Sequence, residues 1–115
     1  MKIHKINKVI VVQNNILPFK GFSAMNLFGI ISTRNISLLN GYVLNHESIH
    51  TKQILECGIV FFYILYLLEW LIKLIFYGKY SYYNISFERE AYMHERNLQY
   101  LDNRKHYSWI SLIFK

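Results

Sequence analysis

Residues 45–53 read NHESIHTKQ, and this stretch predicts the helix around which the rest of the fold is arranged. Residues four apart on an α-helix lie about 40° apart around the axis and one turn apart along it. His46 and His50 therefore direct their imidazoles at the same point in space, while Glu47 lies about 100° around from His46. We predict one helix over residues 42–56, ended at Gly58, which suits a left-handed C-terminal cap.

The two histidines have the spacing of a zinc-binding helix. Neutral imidazole is a common zinc ligand, and two imidazoles at positions i and i+4 can hold the same ion. A carboxylate at the position of Glu47 would contact a water on that ion and serve as its general base. With this composition, the pattern HExxH is expected by chance at a frequency of about 0.01. The alternative is an ordinary helix whose histidines face solvent or pair within the core.

The residues before this helix predict a small sheet. KVIVVQ, at 8–13, is rich in β-branched residues and predicts a strand. FSAMNLFGIISTR, at 22–34, predicts a second strand with a bulge or bend at Gly29. Two strands are too few to be stable alone, so we expect a small antiparallel sheet packed on a helix.

The residues after the helix are strongly apolar. IVFFYILYLLEWLIKLIFYG, at 59–78, is about long enough to cross a bilayer, which takes roughly 20 residues. Glu69 and Lys73 have the spacing of an ion pair on a helix surface. Lys73 also belongs to a polar and aromatic stripe that a lipid-facing span would not need, so we interpret the segment as a core or interfacial helix, with a transmembrane span as the alternative. We expect water, headgroups or other protein to meet this stripe, which comprises Tyr63, Tyr66, Trp70, Lys73 and Tyr77.

A catalytic zinc site needs a third protein ligand besides the two histidines. SFEREAY, at 86–92, predicts the start of a helix, because Ser86 can cap it and the carboxylates of Glu88 and Glu90 favour its positive end. This helix, expected to run to about residue 103, can lie against the first one and present a carboxylate to the ion. The same two glutamates could instead serve only the helix dipole.

HESIH followed by FEREAY resembles the glutamate-zincin (gluzincin) metallopeptidases. In that clan the HExxH helix precedes a second helix with the pattern E-x-x-A/S-D, whose first glutamate is the third zinc ligand. The prenyl-protein peptidases and their bacterial heat-shock relatives carry E-x-E-A-D, close to EREAY at 88–92. NHESIHTKQ, the aromatic segment and NISFEREAY are also similar, over roughly residues 20–109, to a group of short bacterial proteins regarded as zinc peptidases.

The resemblance implies a site for Zn²⁺. Its ligands would be His46, His50 and Glu88, and its general base would be Glu47. Glu90 is the alternative third ligand.

Parts of the family pattern are missing or unassigned in this chain. Tyr92 stands where the larger families carry an aspartate that orients a ligand histidine, so Glu95 or a backbone carbonyl is the candidate for that role. The resemblance also implies that an extended substrate adds to the sheet edge, and SAMNLFG at 23–29 is the segment that could accept it. No oxyanion-stabilising residue carries over; the candidates by chemistry alone are Tyr92, Tyr100, His94 and His106.

The expected fold class is α+β. The 115 residues suit a single domain over 1–115. We expect a minimal zincin-like core: a small N-terminal antiparallel sheet packed on the HExxH helix, an aromatic-rich helix and a C-terminal glutamate helix. The expected function is zinc-dependent hydrolysis of a peptide or protein substrate.

The composition limits the classes of partner and the cellular compartment that we expect. The net charge is +6, but the lysines and arginines are scattered along the chain, so we expect no nucleic-acid partner. The same charge suits an anionic membrane surface or a membrane protein.

Cys57 is the only cysteine, which excludes an internal disulfide, and VIVV is too short for a signal peptide. We expect a cytoplasmic protein. Association with the inner face of the cell membrane is compatible with this location. The alternative function is a membrane-associated or partner-binding protein whose metal site is structural or vestigial.

Overall fold

The structure, a computed structural model, describes residues 2–6, 9–17 and 22–114 and shows a mixed α+β fold. Four short strands come first, and five helices and several 3₁₀ turns follow them. The strands are β1 (Lys2–Ile6), β2 (Val9–Gln13), β3 (Met25–Leu27) and β4 (Ile30–Thr33). The helices are α1 (Gly41–Cys57), α2 (Ile59–Tyr77), α3 (Ser81–Asn84), α4 (Ser86–His94) and α5 (Tyr100–Asn103).

The sheet is mixed, so the prediction of an antiparallel sheet is wrong. The spatial order is β1-β2-β4-β3; the two outer pairs are antiparallel, but β2 and β4 run parallel, with Val11 opposite Ile31. The chain crosses from β2 to the far edge, forms β3 there and returns as β4 between the two. Val11 and Ile31 are both completely buried, so the two central strands, β2 and β4, contribute to the core.

Residues 22–34 form two strands where the sequence predicts one. Phe28 and Gly29 both have positive φ, at 57° and 93°. Positive φ at both central residues is what the tightest hairpin turns require. The expected bend at Gly29 is therefore a complete reversal of the chain, and the strands on either side of it, β3 and β4, pair with each other.

Helix α1 confirms the predicted HExxH helix. It begins after Asn40, whose side chain accepts a hydrogen bond from the backbone N–H of Val43 at 2.9 Å. It ends at Cys57, and Gly58 follows with φ +85° and ψ 148°. This backbone conformation is open to glycine and is extended, not the left-handed helical cap expected from the sequence. Gly58 is the only residue between α1 and α2, and its extended conformation interrupts the helix there.

The helix around SFEREAY begins and ends differently from the prediction. Ser86 is its first helical residue and not its cap; the Glu69 carboxylate of α2 accepts hydrogen bonds from both the N–H and the hydroxyl of Ser86, each at 2.7 Å. The helix stops at His94 and not near residue 103. The side-chain amide of Asn45 in α1 donates to the carbonyl oxygens of His94, Glu95 and Asn97 at 2.8–3.2 Å, so contacts from α1 and α2 set both ends of α4.

A buried ion cluster attaches the C-terminal segment to α1 and α4. Arg104 donates two hydrogen bonds to the carboxylate of Glu56, at 2.8 and 2.9 Å, and also binds the carboxylate of Glu90. Glu90 is completely buried and accepts a further hydrogen bond from the Tyr100 hydroxyl at 2.7 Å. The chain then folds back through a 3₁₀ turn, where Trp109 packs on Phe87 in the main apolar core.

This cluster predicts a loss of stability in acid. Burial raises the pKa values of Glu56 and Glu90, but hydrogen bonds from Arg104 and other donors outweigh it, and both pKa values lie below the usual 4.5. A lowered folded-state pKa gives stabilisation that is complete above about pH 4.5 and disappears as the pH falls through the folded value. We expect the free energy of urea unfolding to fall below pH 4.5 in the native protein and to fall less in Glu56→Gln. Parallel pH profiles for the two proteins would contradict this.

Candidate metal centre

Helices α1 and α4 bring two imidazoles and one carboxylate together in the interior. The Nε2 atoms of His46 and His50 lie 3.2 and 3.0 Å from the same atom, Oε1 of Glu88. All three residues are buried, with exposed fractions of 9%, 5% and 4%. The structure thus places side by side the three residues that the sequence resemblance implies as ligands.

The separations of these atoms suit a coordinated divalent cation. Ligand atoms about 2.0–2.1 Å from a tetrahedral zinc ion lie about 3.3 Å from one another. The two Nε2–Oε1 separations are close to this value. His46, Glu47 and His50 also each offer a ligand atom, and these atoms lie within 4.8 Å of one another. Two imidazoles with adjacent carboxylates are a donor set that fits zinc.

Without a cation, the same atoms form an ion pair. Burial lowers the pKa of His50, but the Glu88 carboxylate outweighs it and raises that pKa to about 9. Burial raises the pKa of Glu88, but the charge of His50 and hydrogen bonds from both histidines hold it far below its usual range. An imidazole must be neutral to bind a metal, so a cation entering here takes the place of the His50 proton.

Gln53 fixes which nitrogen of His50 faces Glu88. Its amide nitrogen donates to the carbonyl oxygen of Phe87 at 3.0 Å and to Oε1 of Glu90 at 2.9 Å, and both of these atoms can only accept. Its amide oxygen therefore faces Nδ1 of His50, 2.8 Å away, and that nitrogen must donate. A neutral His50 then carries its lone pair on Nε2, the nitrogen that points towards Glu88.

This arrangement predicts a role for Gln53 in metal affinity. Gln53→Leu removes the acceptor that holds His50 in the ligating tautomer, and we expect zinc affinity to fall by about 10–100-fold. Competition with a chelating dye at neutral pH measures this. Gln99→Leu, which changes an exposed glutamine, is the matched control and should bind zinc like the native protein. Equal affinity in the two variants, with both folded by circular dichroism, would contradict the assignment.

The other orienting contacts come from α2 and α4. The Tyr66 hydroxyl donates to Oε2 of Glu88 at 2.6 Å, so the other carboxylate oxygen, Oε1, faces the histidines. Oε1 of Glu95 lies 3.7 Å from Nδ1 of His46, within ion-pair distance but beyond a hydrogen bond. Tyr92 packs edge-on against the His46 ring, with centroids 4.5 Å apart. At the motif position where the resemblance implies an orienting aspartate, this chain therefore has an aromatic contact from Tyr92 to His46.

Glu47 is close to both histidines and lines a cavity. It is buried, and this burial raises its pKa above the usual 4.5 although the nearby histidines oppose the rise. Together with His50 and Glu88 it lines a cavity of about 540 Å³. The remaining walls are mostly apolar and come from β3, from α2 and from the tyrosines of α3. A carboxylate with a raised pKa at such a position is suited to accept a proton.

The remaining candidates lie elsewhere. Glu90 belongs to the Arg104 cluster and contacts neither histidine in the described hydrogen bonds and ion pairs; it touches the site only through Gln53. Of the oxyanion candidates, Tyr100 binds Glu90, His94 stacks on Tyr100, and His106 contacts Glu56, so only Tyr92 borders the site.

The sequence reasoning missed Gln53 and Tyr66. Gln53 lies three residues after His50 on the same helix, so its contact with His50 was open to inference from spacing. Tyr66 belongs to the polar stripe of α2, but its partner Glu88 is 22 residues away and no local pattern indicates the pair.

No protein-family model, curated protein or solved structure matches this chain. The resemblance to gluzincins therefore rests on the HESIH and FEREAY motifs, and the function has to be argued from the residues of the site.

Proposed function

We propose that this chain is a zinc-dependent peptidase with a minimal zincin-like core. In this proposal His46, His50 and Glu88 hold the ion and Glu47 is the general base. The observation that supports it most is the single carboxylate oxygen of α4 that lies within 3.2 Å of both α1 imidazoles. The position of Glu47 beside them, at the wall of a cavity, adds the base that hydrolysis needs.

The chemistry divides between the ion and the carboxylate of Glu47. Bound zinc would lower the pKa of a water molecule and polarise the scissile carbonyl. Glu47 would accept a proton from a water molecule as the oxygen of that water bonds to the carbonyl carbon of the substrate. The same carboxyl group then delivers the proton to the amide nitrogen as the C–N bond breaks. The raised pKa of Glu47 favours the first transfer, because a more basic carboxylate holds the proton better.

The substrate would lie between β3 and the aromatic wall of the cavity. β3 is an edge strand and is held to α1 by Asn26, whose amide donates to the Glu47 carbonyl and to the Thr51 hydroxyl, both at 2.8 Å. An extended peptide can add to such an edge and place a side chain in the cavity. The Tyr63 hydroxyl already bonds Asn26 O and Phe28 N–H at this edge, so the peptide would pair before that point or displace the hydroxyl.

The test combines metal content with hydrolysis. Protein purified without chelator should contain about one zinc ion per chain and cleave members of a fluorogenic peptide library rich in large apolar residues. A chelator should abolish both properties, and added zinc should restore them. His46→Ala should lose zinc and activity, whereas His106→Ala, which changes a histidine outside the site, should retain both. Full activity of the chelated protein would refute the proposal.

A structural role for the ion is the second candidate, because all three proposed ligands are buried. It predicts that metal removal lowers the melting temperature while no peptide is cleaved in either state.

A further inference from the structure

From Tyr63 to Lys73, the polar stripe of α2 bonds to other parts of this protein, whereas Tyr77 at its end is exposed. Tyr63 bonds the backbone of β3, Trp70 donates to the Ser81 hydroxyl at 3.0 Å, and Lys73 donates to the Asn84 carbonyl at 2.6 Å. Glu69 binds Ser86 and lies 3.4 Å from Lys73. Over this part of the stripe, the structure shows protein as the surroundings, which is one of the three that the sequence leads us to expect.

The opposite face of α2 is apolar and exposed. Eleven aliphatic or phenyl side chains lie on it between Val60 and Phe76, with exposed fractions from 39% at Leu65 to 82% at Ile75. At about 100° per residue they cover an arc of about 200°. Every polar side chain from 60 to 76 lies outside this arc, on the inward stripe. By length and composition this helical stretch could cross a membrane, and only 11% of its most apolar window is buried.

This distribution is the reverse of that in water-soluble proteins, where a helix turns its apolar stripe inward and its polar face to solvent. An exposed apolar surface of this extent marks an interaction site. A partner helix needs a stripe about 100° wide, so a second copy packed on α2 would leave about half of the arc uncovered. The acyl chains of a lipid bilayer, in contrast, can cover the whole width of the arc.

The ends of the surface and the charge of the chain also suit lipid. α2 has 19 residues, or about 28 Å at 1.5 Å per residue, and the arc continues along its whole length. At its C-terminal end stand exposed tyrosines and a lysine, the residues that prefer the headgroup region: Tyr77, Lys79, Tyr80 and Tyr83. The net charge of +6 complements an anionic surface.

We propose that α2 lies in the plane of an anionic lipid bilayer, with its outward arc in the acyl region and the rest of the protein on the aqueous side. A spanning orientation would carry the buried ion pairs of Glu69 and Glu88 and the backbone of β3 to hydrocarbon depth, which an in-plane helix avoids. This proposal does not depend on metal or on hydrolysis, so it stands or fails separately from the peptidase.

Flotation with vesicles tests the proposal. The native protein should float with vesicles of phosphatidylcholine and phosphatidylglycerol, and less with phosphatidylcholine alone. Leu68→Gln/Ile75→Gln, at the centre of the arc, should lower the partition coefficient at least about tenfold. The matched control is Leu55→Gln/Leu98→Gln, which alters two exposed leucines away from α2 and should float like the native protein.

Three results would overturn the proposal. The first is equal flotation of the two double variants, with the fold of each verified by circular dichroism. The second is retention of the native protein on vesicles through alkaline carbonate extraction, which would show a spanning helix. The third is a stable dimer in light scattering that does not bind vesicles, which would show that a second copy covers α2.

Discussion

Glu47→Gln is expected to leave zinc binding unchanged and to lower kcat for peptide hydrolysis by about 10²–10⁴-fold, the contribution of a well-placed general base. The amide keeps the size and polarity of the side chain but cannot take a proton from water. Oε1 of Glu88 lies 3.2 and 3.0 Å from the two histidine Nε2 atoms, and Glu47 is not one of the three proposed ligands, so the proposed ligand set remains complete.

Zinc content and steady-state kinetics, measured on the same preparation, check this expectation. Glu95→Gln is the matched control, because its carboxylate lies near His46 but is absent from the lining of the cavity. It should reduce hydrolysis far less than Glu47→Gln. If the Glu47 variant lost its zinc, Glu47 would be a ligand; if it cleaved peptides at the native rate, the base would have to be another group.

Glu88→Gln is expected to weaken zinc binding by more than about 100-fold, since loss of a direct ligand costs more than loss of a group that only orients one. One effect acts in the opposite direction. Without the Glu88 carboxylate, the pKa of His50 should fall from about 9 towards its ordinary value. Zinc then has to displace a proton from a smaller fraction of the His50 imidazoles. The loss of an anionic ligand should still dominate.

Isothermal titration with zinc, run at two pH values, separates these effects. Glu90→Gln decides between the two glutamates: because Glu90 binds Arg104, we expect this variant to unfold more easily and to lose less zinc affinity than Glu88→Gln. Zinc binding by Glu88→Gln within a few-fold of the native protein would remove Glu88 from the ligand set. Greater loss in the Glu90 variant would assign the role to Glu90.

The sequence is most informative where the pattern is local. The i, i+4 spacing of His46 and His50 determines their shared face once the helix is recognised, and Asn40 and Gly58 mark the two ends of that helix. The choice between Glu88 and Glu90 is different. Both lie in the same helical turn, and only the tertiary position of α4 directs one carboxylate to the histidines and the other to Arg104.

The remaining errors have related causes. β1, with the sequence KIHKI, is largely exposed and lacks the apolar signal of a strand, so only its pairing with β2 reveals it. The position of β4 between β2 and β3 depends on contacts distant in sequence. For α2, the periodicity divides the helix into a polar and an apolar face, but it contains no information on which face turns inward.

The partners of the α2 stripe have a consequence for biosynthesis. Trp70, Lys73 and Glu69 find their partners 11–17 residues further along the chain, and Tyr66 finds its own 22 residues later. The ribosome releases this apolar segment first, before the partners of its polar side chains in residues 81–88 have been made. Until residues 81–88 emerge, these polar side chains lack the partners that hold them inward, and an apolar helix without them favours aggregation or capture by membrane-insertion machinery. Translation of residues 81–88 therefore supplies the partners that α2 needs to pack in the fold.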